Sequence, residues 1–322
     1  MSLSDLQYFN KQIGKQGRLG IGDYMAMSLY GMNIYAHPDP SFWFCNAATG
    51  LDTNTGLDPS LPFKTIQKAI DSARSGDVIF LQAGAGSDYD DDTVGTGLAD
   101  TYLYINRPDI SIVGLGPPNS VIIKPAAAAT AGIINLGALA DRFYLANVTL
   151  DTTTAQSGAI VTSNGTHNPT IENCIFRLIG AAGPLGVGID FDAAAVNYPV
   201  IRNCTFYCGT LLIAAMRLKV GATGGLIQNC IIVSALNGSG TPCTDPINLK
   251  AGTNTIFDQI IIHGGDAGTA YNFPDGIDID GGCVNTIITR SFIGNCDAGV
   301  TDGGTDSCGE TAAEGWTDIT HA

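Results

Sequence analysis

Short apolar segments recur along the chain with one pattern, strand-forming residues around a single polar hinge. They occupy residues 145–150, 171–176, 201–206, 227–232 and 288–293, with a weaker copy at 256–261. Measured at the fourth position (148, 174, 204, 230, 259, 291), the spacings are 26, 30, 26, 29 and 32, a mean of 28.6 residues. A steady period of this length predicts a solenoid whose coils bury their apolar sides against one another. In four copies the hinge is Asn (147, 173, 203, 229), which tolerates left-handed backbone and turns sharply. Stacked coils would align Asn147, Asn173, Asn203 and Asn229 as a ladder of amides. Cys174, Cys204 and Cys230 would stack beside them as small buried apolar groups with a structural role.

A second column repeats with the same period. Residues 189–192, 216–219, 247–250 and 277–280 are spaced by 27, 31 and 30. Strict alternation turns Ile189, Met216, Ile247 and Ile277 inward, with Phe191, Leu218, Leu249 and Ile279. The outward residues read Asp190 and Asp192, then Arg217 and Lys219, then Asn248 and Lys250, then Asp278 and Asp280. Adjacent strands lie ~4.8 Å apart, so the outer face would carry opposite charges on adjacent coils. Each exposed pair is worth only ~0–1 kcal/mol, so its larger effect is on register.

Upstream of the repeats, residues 62–74 form the best helix candidate. Ser60 can N-cap it, Pro62 suits the first turn, and Phe63, Ile66, Ala69, Ile70 and Ala73 share one face. Three parts are therefore expected: an arm over 1–44, a solenoid over 45–310 and a tail over 311–322. The arm holds 8 of the 25 aromatic residues and 4 of the 5 methionines, and it contains no repeat. Aromatic and Met side chains are enriched at interfaces. The arm accordingly reads as a docking segment, with Tyr8, Phe9, Lys11, Lys15, Arg18, Tyr24, Tyr30 and Tyr35 as its contact residues. Wrapping of its own solenoid is the alternative.

Composition narrows the classes. Hydrophobic residues make up 45% of the chain, which excludes disorder, and 41 glycines argue against a helical bundle. A net charge of −15 argues against nucleic acid as a partner. No run of ~18 apolar residues predicts a membrane span, and the N-terminus shows no signal-type apolar region. Nine cysteines without a CxxC pair argue against a disulfide framework or a zinc site. Asp88, Asp90 and Asp92 have calcium-like spacing. Thr93 and Ala99 stand where a calcium loop needs Gly and Glu, so no metal and no cofactor are expected.

Residues 50–310 resemble the right-handed parallel β-helix of the pectate-lyase-like superfamily. The resemblance implies an all-β solenoid of eight or nine coils with an N-terminal capping helix. Residues 272–280, followed by 294–297, resemble a degraded polygalacturonase signature in which Asp275 and Asp297 would be acidic catalytic residues. Cys296 breaks the Asp pair, and the family's His and Arg-Ile-Lys motifs are missing, so no catalytic residue is assigned. The whole arrangement resembles phage tailspike and head-decoration proteins. That implies a structural virion protein, homotrimeric and assembled in the host cytoplasm. It would dock other virion proteins through its arm and present its solenoid to a cell-surface glycan. A polysaccharide lyase or hydrolase, or a glycan-binding adhesin, is the alternative.

Overall fold

The structure is a computed structural model. It describes residues 40–84, 88–90, 103–124, 132–151, 160–178, 186–209, 212–220, 224–234, 245–264, 273–305 and 307–313. The chain is a right-handed parallel β-helix with three faces. The first face stacks Phe42–Cys45, Val78–Gln82, Ser111–Leu115, Tyr144–Ala146, Thr170–Glu172, Val200–Arg202, Gly225–Gln228, Thr255–Asp258 and the start of Ile287–Gly294. The second face stacks Ile122–Ile123, Thr149–Asp151, Ile175–Leu178, Thr205–Cys208, Ile231–Ser234, Ile261–His263 and the end of Ile287–Gly294. The third face runs from Leu103–Ile105 through Ile134–Leu136, Val161–Asn164, Gly186–Val196, Leu212–Val220, Ile247–Thr253 and Phe273–Ile279 to Cys296–Asp302.

Among the described residues seven coils, entered at Ser111, Tyr144, Thr170, Val200, Gly225, Thr255 and Ile287, carry a strand on every face, so the expected eight or nine is slightly high. The solenoid also begins earlier than residue 45, since Phe42–Cys45 pairs with Val78–Gln82. It runs beyond residue 310, since Thr311–Ala313 pairs with Ser291–Ile293.

The capping helix, α1, spans Ile66–Ser72, shorter than the 62–74 expected. Asp52 shortens it by accepting from the Lys64 and Thr65 backbone amides, both at 3.0 Å, and from Thr65 Oγ1 at 2.9 Å. Thr65, not Ser60, is the N-cap and accepts from the Lys68 amide. Ser60 instead donates to Asp58. Ile66, Ala69 and Ile70 are buried against the open end of the core, where an uncapped solenoid would expose strand edges.

Left-handed residues mark the corners. Between the first and second faces the φ values are 60° at Asn147, 51° at Asn173, 55° at Asn203, 50° at Asn229, 56° at Gln259 and 51° at Arg290. This corner corrects the 256–261 copy by one residue. Phe257 pairs with Ile227, so Ile260 and not Gln259 takes the buried place beside Cys230. Gln259 takes the left-handed position because that residue points outward and meets no core side chain. A second column, between the third and first faces, includes Asp109, Arg142, Asn168, Tyr198, Asn254 and Asn285 at φ of 50–60°. Close approach explains one glycine here: a Cβ on Gly114 would lie 2.0 Å from the Asn147 carbonyl oxygen. Inside, Phe176 and Phe206 stack with centroids 4.5 Å apart.

Candidate functional site

The third face carries an outward column in continuous register: Tyr104, Asn135, Thr162, Asp190, Arg217, Asn248, Asp278 and Thr301. Strand alternation turns these side chains away from the apolar core. Arg217 pairs with Asp190 through two bonds, at 3.1 and 2.5 Å. Asn248 Nδ2 donates to Asp278 at 2.7 Å and to Asp245 at 3.3 Å. Lys250 lies 3.3 Å from Asp280. Lys219 does not stand beside Lys250, its counterpart in the aligned copies. An irregularity after Leu218 puts Lys219 opposite Ala251, which keeps two ammonium groups apart. The Asp192 side chain lies outside the described residues.

At the C-terminal end of this column, Asp245, Asp275, Asp278 and Asp280 share one environment with Lys250 among the described residues. Thr301 Oγ1 donates to Asp275 at 2.6 Å. Burial first, then the neighbouring Asp280 and Asp275, push the Asp278 carboxyl above its ordinary value. Burial likewise raises Asp245, with Asp278 and Asp275 adding to it. Asn248 is 4% exposed, and its Oδ1 has no hydrogen-bond partner among the described residues. The other end of the column opens on a cavity of about 470 Å³ lined by Gln67, Asp71, Tyr104, Asn106 and Arg107. Arg107 closes the end of α1 there by donating to the Ala73 and Ile70 carbonyls.

A second charged column, on the first face, was not anticipated from the sequence. Glu172, Arg202, Gln228, Asp258 and Thr289 stand in register. Glu172 accepts from Tyr144 at 3.0 Å and from Arg202 at 2.9 Å. Asp258 accepts from Gln228, Thr289 and Arg290, and the Arg290 bonds above all hold its carboxyl down at about 2. The signal was present, since Glu172, Arg202 and Gln228 each directly precede an Asn hinge inside the repeats. With Arg290, which pairs with Asp258 from the next position, acid and base balance here, so the column serves register. The third face holds an excess of acid, which makes it the candidate site.

The remaining sequence candidates divide. Asn173 Nδ2 donates to Asn147 Oδ1 at 2.6 Å, Asn229 to Asn203 at 2.8 Å, and Asn285 to Asn254 at 3.0 Å. Cys174, Cys204 and Cys230 are buried as free thiols whose Sγ atoms reach backbone carbonyls. Burial raises the Cys204 thiol, and the bond with Cys204 raises that of Cys230. Asp275 joins the acidic cluster, whereas the Asp297 side chain lies outside the described residues. So do the arm residues Tyr8, Phe9, Lys11, Lys15, Arg18, Tyr24, Tyr30 and Tyr35, and Asp92 of the acidic loop. Asp90 is exposed and Asp88 half-buried. Among the described residues, no three His, Cys, Asp or Glu side chains are arranged to hold a metal ion, and no helix is long and apolar enough to cross a membrane.

No family model matches the sequence, and no curated protein matches it. Solved structures do match the coil stack. A GH136 lacto-N-biosidase from Eubacterium ramulus superposes with a TM-score of 0.54 at 12% identity, over 84% of this chain and 56% of that one. The pectate lyase Pel9A gives 0.50 at 11% identity, over 85% and 76%. The fold shared with these structures is the parallel β-helix. The A-module of the Azotobacter vinelandii mannuronan C-5 epimerase AlgE6 gives 0.50 at 16% identity, over 76% and 74%. The chain thus spans little more than half of the biosidase. At these identities the likeness concerns the β-helix itself, and it lends no support to the phage-type resemblance.

Proposed function

We propose that this β-helix binds a polysaccharide along its third face. The observation that carries the reading is the uninterrupted outward column from Tyr104 to Thr301, one polar side chain per coil. Seven coil steps at ~4.8 Å give a track of ~34 Å, long enough for several sugar residues. Amide, hydroxyl and carboxylate groups are suited to sugar hydroxyls, and the similar structures named as a biosidase, a lyase and an epimerase act on glycans. Four carboxylates around Lys250 favour a neutral or amino-sugar polymer, because a polyuronate would meet like charge. Asp278, its carboxyl raised by burial, can hold a proton beside a second carboxylate. Two such groups are what glycoside hydrolysis uses.

Calorimetry against neutral, amino-sugar and uronate polymers tests the proposal. Binding of a neutral or amino-sugar polymer that Asn248→Ala and Asp278→Asn weaken is the expected result. Silence across the panel, or binding indifferent to both substitutions, refutes it. Reducing-sugar release that Asp278→Asn abolishes would add turnover to binding.

A structural role in a tailed-phage particle is the second reading. It is favoured by Ile231, Ile261 and Phe292, which stand in register on the second face and are 37%, 42% and 47% exposed. Such a stripe suits assembly of copies or docking to a partner. Light scattering should then report an oligomer, a trimer by analogy, and mass spectrometry should find the chain in purified particles. Its absence from particles would end this reading.

A further inference from the structure

The outer side of the first face changes character along its length. Phe42, Val78, Ser111, Tyr144, Thr170, Val200, Leu226, Ile256 and Ile287 occupy one outward column in continuous register. Phe44, Phe80, Val113 and Ala146 begin the neighbouring one. An outward residue of a solenoid should meet solvent, and Ile256 does, at 38% exposure. The first coils do not follow that rule. Phe42, Phe44, Val78, Phe80, Val113, Tyr144 and Ala146 are at most 6% exposed and form an apolar cluster separate from the core. Among the described residues, Leu115 is the apolar side chain packed against that cluster from its edge. Phe80 stacks on Phe42 and Phe44 at 5.7 and 5.6 Å, which accounts for contacts along the sheet but not for a cover above it.

We propose that residues 1–39 of the same chain cover this patch. The patch begins at Phe42, directly after that segment, and its burial fades over the coils farther from the chain's point of entry. Reach is ample: four coils span ~14 Å at one strand spacing per step, and 39 residues extend to more than ~120 Å. The segment has the matching chemistry, with Tyr8, Phe9, Tyr24, Tyr30 and Tyr35 beside Met25, Met27 and Met32. Residues 1–39 carry Lys11, Lys15 and Arg18 against Asp5, Asp23 and Asp39, so the segment is neutral and its match to the patch is apolar. The occupant is therefore part of the fold, and the assembly stripe on the second face is left free.

Limited trypsin digestion of the full chain reads this directly. The segment contains Lys11, Lys15 and Arg18, and the next basic residue is Lys64, so early cuts are separable by mass. Val113→Asp, a charge placed under the cover, should speed those cuts about tenfold or more by releasing the segment. Ile256→Asp, on the same face where nothing covers it, should leave the rate unchanged. Val113→Thr gives the same direction if the Asp variant does not fold. Equal rates in the wild type and both Val113 variants overturn the proposal. Protection that falls on dilution overturns it too, since a second copy would then supply the segment. The test is independent of glycan binding.

Discussion

Asn173 isolates what holds the corner between the first and second faces. It is exposed, has φ of 51°, and donates to Asn147 Oδ1 at 2.6 Å. Two terms are lost on substitution and they can be separated. The left-handed conformation costs an ordinary L-residue roughly 1–2 kcal/mol. The exposed amide link is worth about 0.5–1 kcal/mol, the lower part of the range for a hydrogen bond. Asn173→Ala should therefore destabilise by about 1.5–3 kcal/mol. Asn173→Val adds a β-branched clash and should cost about 0.5 kcal/mol more than Ala. Asn173→Gly adopts the positive φ freely and loses the amide link plus some unfolded-state entropy, about 1–1.5 kcal/mol. The expected order of damage is Gly, then Ala, then Val. Urea unfolding followed by circular dichroism measures it, with midpoints compared at equal slope because a solenoid can unravel in stages. Gly as damaging as Val would refute the reasoning, since the amide contact rather than the backbone would then hold the corner.

Phe206→Ala removes one ring of the buried Phe176–Phe206 stack and should cost about 3–5 kcal/mol in the same assay. Asp278 has a raised pKa in the folded state, so stability should fall as pH rises from its unfolded value through the folded one. Asp278→Asn should then raise the melting temperature at pH 7 and flatten that part of the pH profile; an unchanged profile contradicts the burial argument. Asp258 is depressed to about 2, so its contribution is present above the unfolded value near pH ~4 and is lost as pH falls toward 2. Arg290→Ala should move a carboxyl NMR titration at Asp258 upward and weaken that acid dependence. Native alkylation should leave Cys174, Cys204 and Cys230 unmodified, because all three are buried. Rapid labelling of any of them would show that the corner opens.

The period of the chain was legible because each coil repeats the same demand. Apolar residues such as Ile171, Ile201 and Ile227 must face one core, and Asn is tolerated where the backbone turns left-handed. Those local rules sufficed for the coil stack and its period. They failed where the local residue was not diagnostic. Gln259 and Arg290 occupy left-handed corners with no helpful composition, so the 256–261 copy was read one residue out of place. Lys219 is moved opposite Ala251 by an irregularity that alternation does not foresee.

The candidate site belongs mostly to tertiary structure. Asp245 lies three residues before Asn248 and Asp275 shares the strand of Asp278, but only stacking brings the one pair against the other. A sequence can specify each coil from its own residues, because inward and outward positions alternate locally. Which charges then share an environment depends on the register between coils some 30 residues apart. So does the fact that an outward face of Phe, Val and Tyr is buried at one end and open at the other.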